Sequence, residues 1–463
     1  MESIIRLSSL KISNIKNVRT GQIVMPNACR KKLAYQNAEI LGLYGQNGSG
    51  KTAIIDTLYY LQKIMTGSTL EDEIADYIDT NSTEATISAD FNIFTETLIY
   101  EVNYNIILQK YQNSAQIVCE TLSCAVNKGD SRTNKTVFMH YQRSDKENIF
   151  TPKKRLEEIA EADTENKMDL IVAKKIAEKS NCSYIFGESS REIFFRNYEN
   201  NFKQYSNVIK SLFKFALQDL FVIRNTHSGV ISANFLLPMA FKIEQNEIGM
   251  KGDFAVPLSQ PVVLNEERKR ILETIVEQVN MVLFTIIPGM KIEVYNHGMQ
   301  LSDSGENGYR VELVSIRENM PHIPIRMESE GIIKIISILN VLIQAFGNYS
   351  ICLAIDELDA GIFEYMLGEL LDIFNKSAKG QLIFTSHNLR ALEMLDKDSI
   401  MFSTVNPDRR YIRMKNVKTS NNLRDTYLRG ITLGGQDEVI YEETDSLRIA
   451  RAFRKAGRTL QHE

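Results

Sequence analysis

Eight residues, Gly45-Gln46-Asn47-Gly48-Ser49-Gly50-Lys51-Thr52, have the types and spacing of a phosphate-binding loop, G-x-x-x-x-G-K-[ST]. Glycines at 45, 48 and 50 let backbone N–H groups approach an anion without a Cβ in the way, and Asn47 and Ser49 add their own N–H groups to the cradle. Lys51 reaches the β and γ phosphates, and the Thr52 hydroxyl can ligate Mg²⁺. Such a loop needs a carboxylate, and "SICLAIDELDAGIF" supplies one far downstream. Its apolar run ends in Asp356-Glu357; Asp356 is expected to hold Mg²⁺ through water, and Glu357 to orient and deprotonate the attacking water. His387, at the end of "GQLIFTSH", is placed to sense a γ-phosphate. A fourth group, Ser329-Glu330-Gly331, opens the apolar segment "GIIKIISILNVLI". The Ser329 hydroxyl, Gly331 and a free helix N-terminus make a second anion site. One chain already has its phosphate loop, so this second site makes sense facing the nucleotide of another subunit. ATP and Mg²⁺ are the cofactors these groups call for.

The elements that must position these residues are visible around them. "EILGLY" before the loop reads as a buried strand, and "AIIDTLYYLQKIM" after it puts Ile54, Ile55, Leu58, Leu61 and Met65 on one helical face. Residues 351–355 and 382–385 read as neighbouring central strands, whose carboxyl ends are where an open α/β sheet binds ligands. "EATISADFNIF", "TLIYEVNYNIIL" and "AQIVCETL" alternate apolar and polar residues as an antiparallel sheet does, with "LSSLKISNIKNV" as an edge strand. Three segments, "KKRLEEIAEADTENKMDLIVAKKIAEK", "NNFKQYSNVIKSLFKFALQDLFVI" and "NEERKRILETIVEQVNMVLFTII", read as helices, and "KIEVYNHGMQL" with "GYRVELVSI" as a hairpin. The expected organisation is a first lobe over residues 1–124, a mainly helical insertion over 125–285, a second lobe over 286–430 and a basic helical tail over 431–463. The tail carries Arg448, Arg451, Arg454, Lys455 and Arg458. Either this is a solvated face, or it meets an acidic partner or nucleic-acid phosphate.

Composition bounds the reading. The chain has 463 residues, 43% of them hydrophobic and 24% charged, as in an ordinary globular protein of two or three domains. A net charge of −4 gives no global basic field for nucleic acid. Five cysteines without a C-x-x-C pair suggest reduced thiols, hence a cytoplasmic location. The first residues carry no apolar core for a signal peptide, and no uninterrupted run of 18 apolar residues calls for a membrane. Asp396 and Asp398 form a lone D-x-D inside the region of the sheet and are not taken as a metal site. No protease-type triad or zinc spacing occurs.

The four groups, in this order, resemble the ABC-type ATPases of the RecF/SMC/OLD branch. Residues 45–52 match that family's Walker A, 351–357 its Walker B and catalytic glutamate, 329–331 its signature, and His387 its switch histidine. The resemblance covers residues 1 to about 124 and 286 to 430. It implies an ABC-type P-loop head, with a mixed central sheet, flanking helices and an antiparallel sheet, here carrying the helical insertion. It also implies ATP hydrolysis by head-to-tail dimers. The sequence departs from the family at Leu358, where proline is usual, and at "AGIF", which lacks an expected aspartate. Gln109 and Gln112 are the candidates for the family's Q-loop residue.

"ESEGIIKIISIL" and "AIDELDAGIFEYMLGELL" resemble more narrowly the AriA family, ATPases of the bacterial anti-phage PARIS system. That resemblance implies a homo-oligomer, hexameric in the family, a Toprim nuclease partner, AriB, and a phage protein as trigger. Too few residues follow His387 for a Toprim domain, so a nuclease is expected on another polypeptide. The competing reading is a RecF-like repair ATPase that clamps duplex DNA; the acidic balance counts against it, and a steep salt dependence of duplex binding would reveal it. A transporter subunit fits poorly, because the insertion is large and the signature reads ESEGI.

Overall fold

Strand β3 (Glu39–Tyr44) is buried along its whole length, as a parallel strand covered on both faces must be. It lies inside a six-stranded sheet with β8 (Leu220–Ile223), β15 (Cys352–Ile355), β16 (Gln381–Thr385), β17 (Ile400–Ser403) and β18 (Tyr411–Ile412). The order is β18-β17-β3-β16-β15-β8. All neighbours run parallel except β18, which returns antiparallel to β17. The structure, a computed structural model, describes residues 3–29, 33–129, 131–225, 236–245, 248–301, 305, 307–415 and 422–459.

Period-two alternation sends the strand side chains into two separate cores. Leu41 and Leu43 of β3, with Cys352 and Ala354 of β15, join the core around helix α1 (Lys51–Met65). Ile40 and Tyr44, with Leu353 and Ile355, join the opposite core. That second core includes the helices α7 (Glu266–Ile286), α8 (Glu330–Gly347) and α9 (Glu364–Ser377). The five residues expected on one face of α1 are all buried in the first core. Helix α8 is long and apolar enough to cross a membrane by length and mean hydropathy, although polar residues such as Lys334 and Asn340 interrupt it. It is a core helix, 61% buried.

The antiparallel sheet has the order β2-β1-β4-β5-β6-β7. Its strands are β1 (Ile4–Ile15), β2 (Val18–Val24), β4 (Glu84–Phe94), β5 (Ile99–Tyr111), β6 (Ser114–Asn127) and β7 (Thr136–Gln142). This sheet joins the parallel one through Gln381. Its side chain donates to Leu7 O at 2.8 Å and accepts from Leu7 N at 2.9 Å, and it also donates to Glu39 at 2.9 Å. The expected hairpin forms from β12 (Lys291–Leu301) and β13 (Asn307–Ile316). The α/β plan expected from sequence, a mixed sheet between helices plus an antiparallel sheet, is the plan observed.

Residues 200–223 depart from their expected helix. Helix α6 (Phe202–Lys214) passes through a π-helical turn, 215–219, into strand β8, which pairs with β15. The cause is tertiary. The Gln62 amide of α1 donates to Ala216 O at 3.0 Å and Leu220 O at 2.5 Å, satisfying carbonyls that a broken helix leaves open. A short apolar run such as "LFVI" suits helix and buried strand equally, and pairing with β15 decides. The segment from 153 also divides, into α3 (Lys153–Ala162) and α4 (Asn166–Ser180), with Asp163 extended between them. The basic tail forms α12 (Ser446–Thr459), on which Arg448, Arg451 and Arg454 are exposed; the Arg458 side chain lies outside the described residues.

Candidate nucleotide site

Because β3, β15 and β16 run parallel, their carboxyl ends bring three loops to one edge. The cleft there has a volume of about 440 Å³. Lys16, Asn17, residues 47–53, Glu357, Thr385 and His387 line it. Sequence expectation thus placed Asn47, Gly48, Ser49, Gly50, Lys51, Thr52, Glu357 and His387 where the structure brings them together.

The loop is held open in the form an anion needs. Gly45, Gly48 and Gly50 all have positive φ. Nothing lies within 4 Å of a Cβ built at Gly48, so that face is free for a ligand. Asn17 donates its amide to Gly48 O, and Tyr411 donates its hydroxyl to Gly50 O at 2.5 Å. Gln46 points the other way and exchanges two hydrogen bonds with the Glu442 backbone. Lys51 donates to Gly45 O at 2.9 Å and Gln46 O at 3.0 Å. Burial holds its pKa below the ordinary lysine value, opposed by the carboxylates of Asp356, Glu357 and Asp359. An anion seated in the loop would act in the same direction as those carboxylates.

Asp356 is 1% exposed. Its Oδ1 accepts from the Thr385 hydroxyl at 2.6 Å and the Thr52 hydroxyl at 3.3 Å, while its Oδ2 is buried without a protein partner. An orphaned carboxylate oxygen beside a hydroxyl fits a hard cation such as Mg²⁺, which takes few protein oxygens and keeps its waters. The backbone N–H of Asp356 donates to Ile223 O at 2.9 Å, so β8 fixes where this carboxylate starts. Glu357 is left-handed, with φ 49°. Its N–H donates to the Thr385 hydroxyl at 2.7 Å.

His387 donates its backbone N–H to Asp359 Oδ2 at 3.0 Å. Burial first, then the Lys51 charge, hold its imidazole below the ordinary histidine pKa, against the pull of Asp359, Glu357 and Asp356. That direction favours the neutral imidazole, which offers one ring N–H. Sequence reasoning missed Asp359. An aspartate was sought within "AGIF", and the one that orders the His387 loop stands just before it. Lys16 was missed as well; it pairs with Asp56 of α1 at 2.5 Å, and Arg224, just past β8, pairs with the same carboxylate at 2.9 Å. Gln109 and Gln112 lie at the β5–β6 turn and do not line the cleft.

Ser329 and Gly331 are not brought to this cleft. Ser329 caps α8, its hydroxyl accepting from Ile332 N at 3.4 Å, and it is exposed. Gly331 packs on the turn after Glu357, where a Cβ would sit 1.8 Å from Gly361 O. Gly331→Ala must therefore push α8 off that turn. The expected destabilisation is roughly 1–3 kcal/mol, read as a lower denaturant midpoint at unchanged m. An unchanged midpoint would show that this contact relaxes freely.

No family model and no curated protein matches the sequence. Among solved structures, the chain is similar to an Smc head domain from Pyrococcus furiosus with an extended coiled coil, bound to the C-terminal domain of ScpA. The identity is 13% and the TM-score 0.37, over 88% of this chain and 96% of that one. It is also similar to the SMC head domain from Thermotoga maritima, at 12% identity and TM-score 0.34 over 89% and 99%. A third is an Smc head domain with coiled coil and joint from Pyrococcus yayanosii, at 12% identity and TM-score 0.39 over 92% and 100%.

Proposed function

We propose that this chain is a Mg²⁺-dependent ATPase whose nucleotide site is completed by a second copy, and that it works as the switch of an anti-phage defence system. One observation carries the ATPase reading. Lys51, Thr52, Glu357 and His387 share one cleft with the orphaned Asp356 oxygen behind it, while the second anion site at Ser329 stands exposed outside. A helix N-terminus that cannot serve its own phosphate loop is suited to a neighbour's.

The loop N–H groups and Lys51 bind the β and γ phosphates and hold the terminal phosphorus in place. Thr52 would hold Mg²⁺ directly and Asp356 through water; bound there, the ion neutralises phosphate charge. The Glu357 carboxylate orients a water, takes its proton as the oxygen attacks the γ-phosphorus, and ADP leaves with the bridging oxygen. Neutral His387 donates its ring N–H to a γ-oxygen. Ser329 of a neighbouring copy closes the site from the opposite side, in a head-to-tail dimer.

The finer reading is supported by the likeness of "ESEGIIKIISIL" and "AIDELDAGIFEYMLGELL" to AriA of the PARIS system. On that reading the oligomer, hexameric in that family, is cytoplasmic. It keeps a Toprim nuclease, AriB, inactive in its ATP-bound form and releases it when a phage protein provokes hydrolysis. Co-expression with the product of the adjacent gene, followed by size exclusion and a toxicity assay with and without phage protein, tests it. Toxicity is expected to need both Glu357 and the partner; toxicity without the partner would overturn the switch.

Sites built in trans have their own test. Ser329→Arg is expected to bind ATP nearly normally and to hydrolyse almost none. Mixed with Lys51→Ala, it forms pairs in which one site carries both lesions and the other neither. Partial rescue of phosphate release is the expected outcome; none at any mixing ratio would place the whole site within one chain.

A further inference from the structure

Lys334 lies five residues beyond Ser329 on α8 and is only 6% exposed. Burial depresses its pKa, and Asp359, Glu357 and Asp356 pull it back, so an ionisable group is kept here against the cost of desolvation. Its ammonium donates to the backbone carbonyl of Glu357. The same carbonyl accepts from Ala360 N at 3.0 Å, while the Glu357 N–H is held by Thr385 at 2.7 Å. Glu357 is thus gripped on both sides in a left-handed conformation that glutamate adopts only when its surroundings impose it. The flanking buried positions are Ile333, Ile335 and Ile336, so what a cationic side chain at 334 answers is the acidic 356–359 turn.

We propose that Lys334 is a positioning residue for Glu357. It fixes the turn that sets where the Glu357 carboxylate stands, and it makes that placement depend on what is seated against Ser329. The second half follows from rigidity. The first turns of α8 meet the 357–361 turn twice, through Lys334 and through the backbone contact of Gly331 with Gly361, so the two move as one piece. This rests on the head-to-tail reading, in which Ser329 faces the neighbour's nucleotide whereas Lys334 serves its own chain's Glu357. Nucleotide at one site therefore tunes hydrolysis at the other, and the paired sites fire in concert.

The experiment uses the full chain with Lys334→Met, which keeps the stem and removes the donor, and with Lys334→Arg, which restores a donor. Steady-state ATP hydrolysis, its Hill coefficient and the affinity for a non-hydrolysable ATP analogue are measured. Wild type is expected to be cooperative. Lys334→Met should bind the analogue almost normally, lose about 100-fold in kcat as misplaced catalytic groups do, and show a Hill coefficient near one, while Lys334→Arg recovers most of both. Unchanged kcat and cooperativity in Lys334→Met overturn the proposal, and so does loss of analogue binding in step with kcat, which marks a merely structural lysine. Glu357→Gln run in parallel separates the two levels. If it turns over normally, the reading of the site fails and this proposal with it. If it is inactive while Lys334→Met is fully active, only this proposal fails.

Discussion

Glu357→Gln is expected to bind ATP as the native chain does and to lose turnover by about 10²–10⁴-fold, the usual contribution of a positioned general base. The amide matches the carboxylate in shape but cannot take the water's proton. The groups proposed to meet the phosphates are the loop, Lys51 and Thr52; Glu357 is only one of three carboxylates acting on Lys51, and its left-handed turn is set by bonds from its backbone to Thr385 and Lys334. Binding without turnover should accumulate an ATP-bound dimer, visible as an ATP-dependent shift in size exclusion that ADP does not produce. Phosphate release at the native rate would mean that the base lies elsewhere.

Lys51→Ala should remove binding itself. Lys51 is the point charge buried at the phosphate end of the cleft, and charge-assisted hydrogen bonds of this kind contribute about 1.5–3 kcal/mol each, so affinity should fall roughly 10–100-fold or more. A second loss adds to this one. Without ligand Lys51 braces the loop through Gly45 O and Gln46 O, so the alanine variant must also order a looser loop before it binds. Nucleotide titration by fluorescence or calorimetry reads the effect. Affinity within a few-fold of the native chain would end the phosphate-loop assignment.

The legible parts of this molecule are those in which sequence neighbours are also structural neighbours. Residues 45–52 form one loop between one strand and one helix, so their spacing reports their geometry. Asp356 and Glu357 announce themselves by ending an apolar strand. What could not be read depends on distant partners. Strand β8 looks helical until β15 is beside it and Gln62 caps the break. Lys16 looks like an ordinary charge in "NIKNV" until Asp56 comes within 2.5 Å. Asp359 was overlooked because its role is a hydrogen bond to a loop 28 residues away. Lys334 was hidden in an apolar helix, where a lone lysine reads as a residue facing water, and only the nearby Glu357 carbonyl gives it a task.

Strand β3 sits between β16 and β17, so its hydrogen-bonding partners on both sides come from the last quarter of the chain. On the ribosome that order has a price in time. At about 5–20 residues per second, the strand leading into the phosphate loop waits roughly 20–70 seconds before its first neighbour is made. A strand formed during that wait would present two unpaired backbone edges and apolar faces, the kind of surface that recruits chaperones or aggregates. The glycine loop after β3 is encoded early, but the sheet that frames it is completed late. The residues on either side of the loop's cleft, 47–53 and 357–387, are thus separated by most of the chain in synthesis although they are neighbours in the fold.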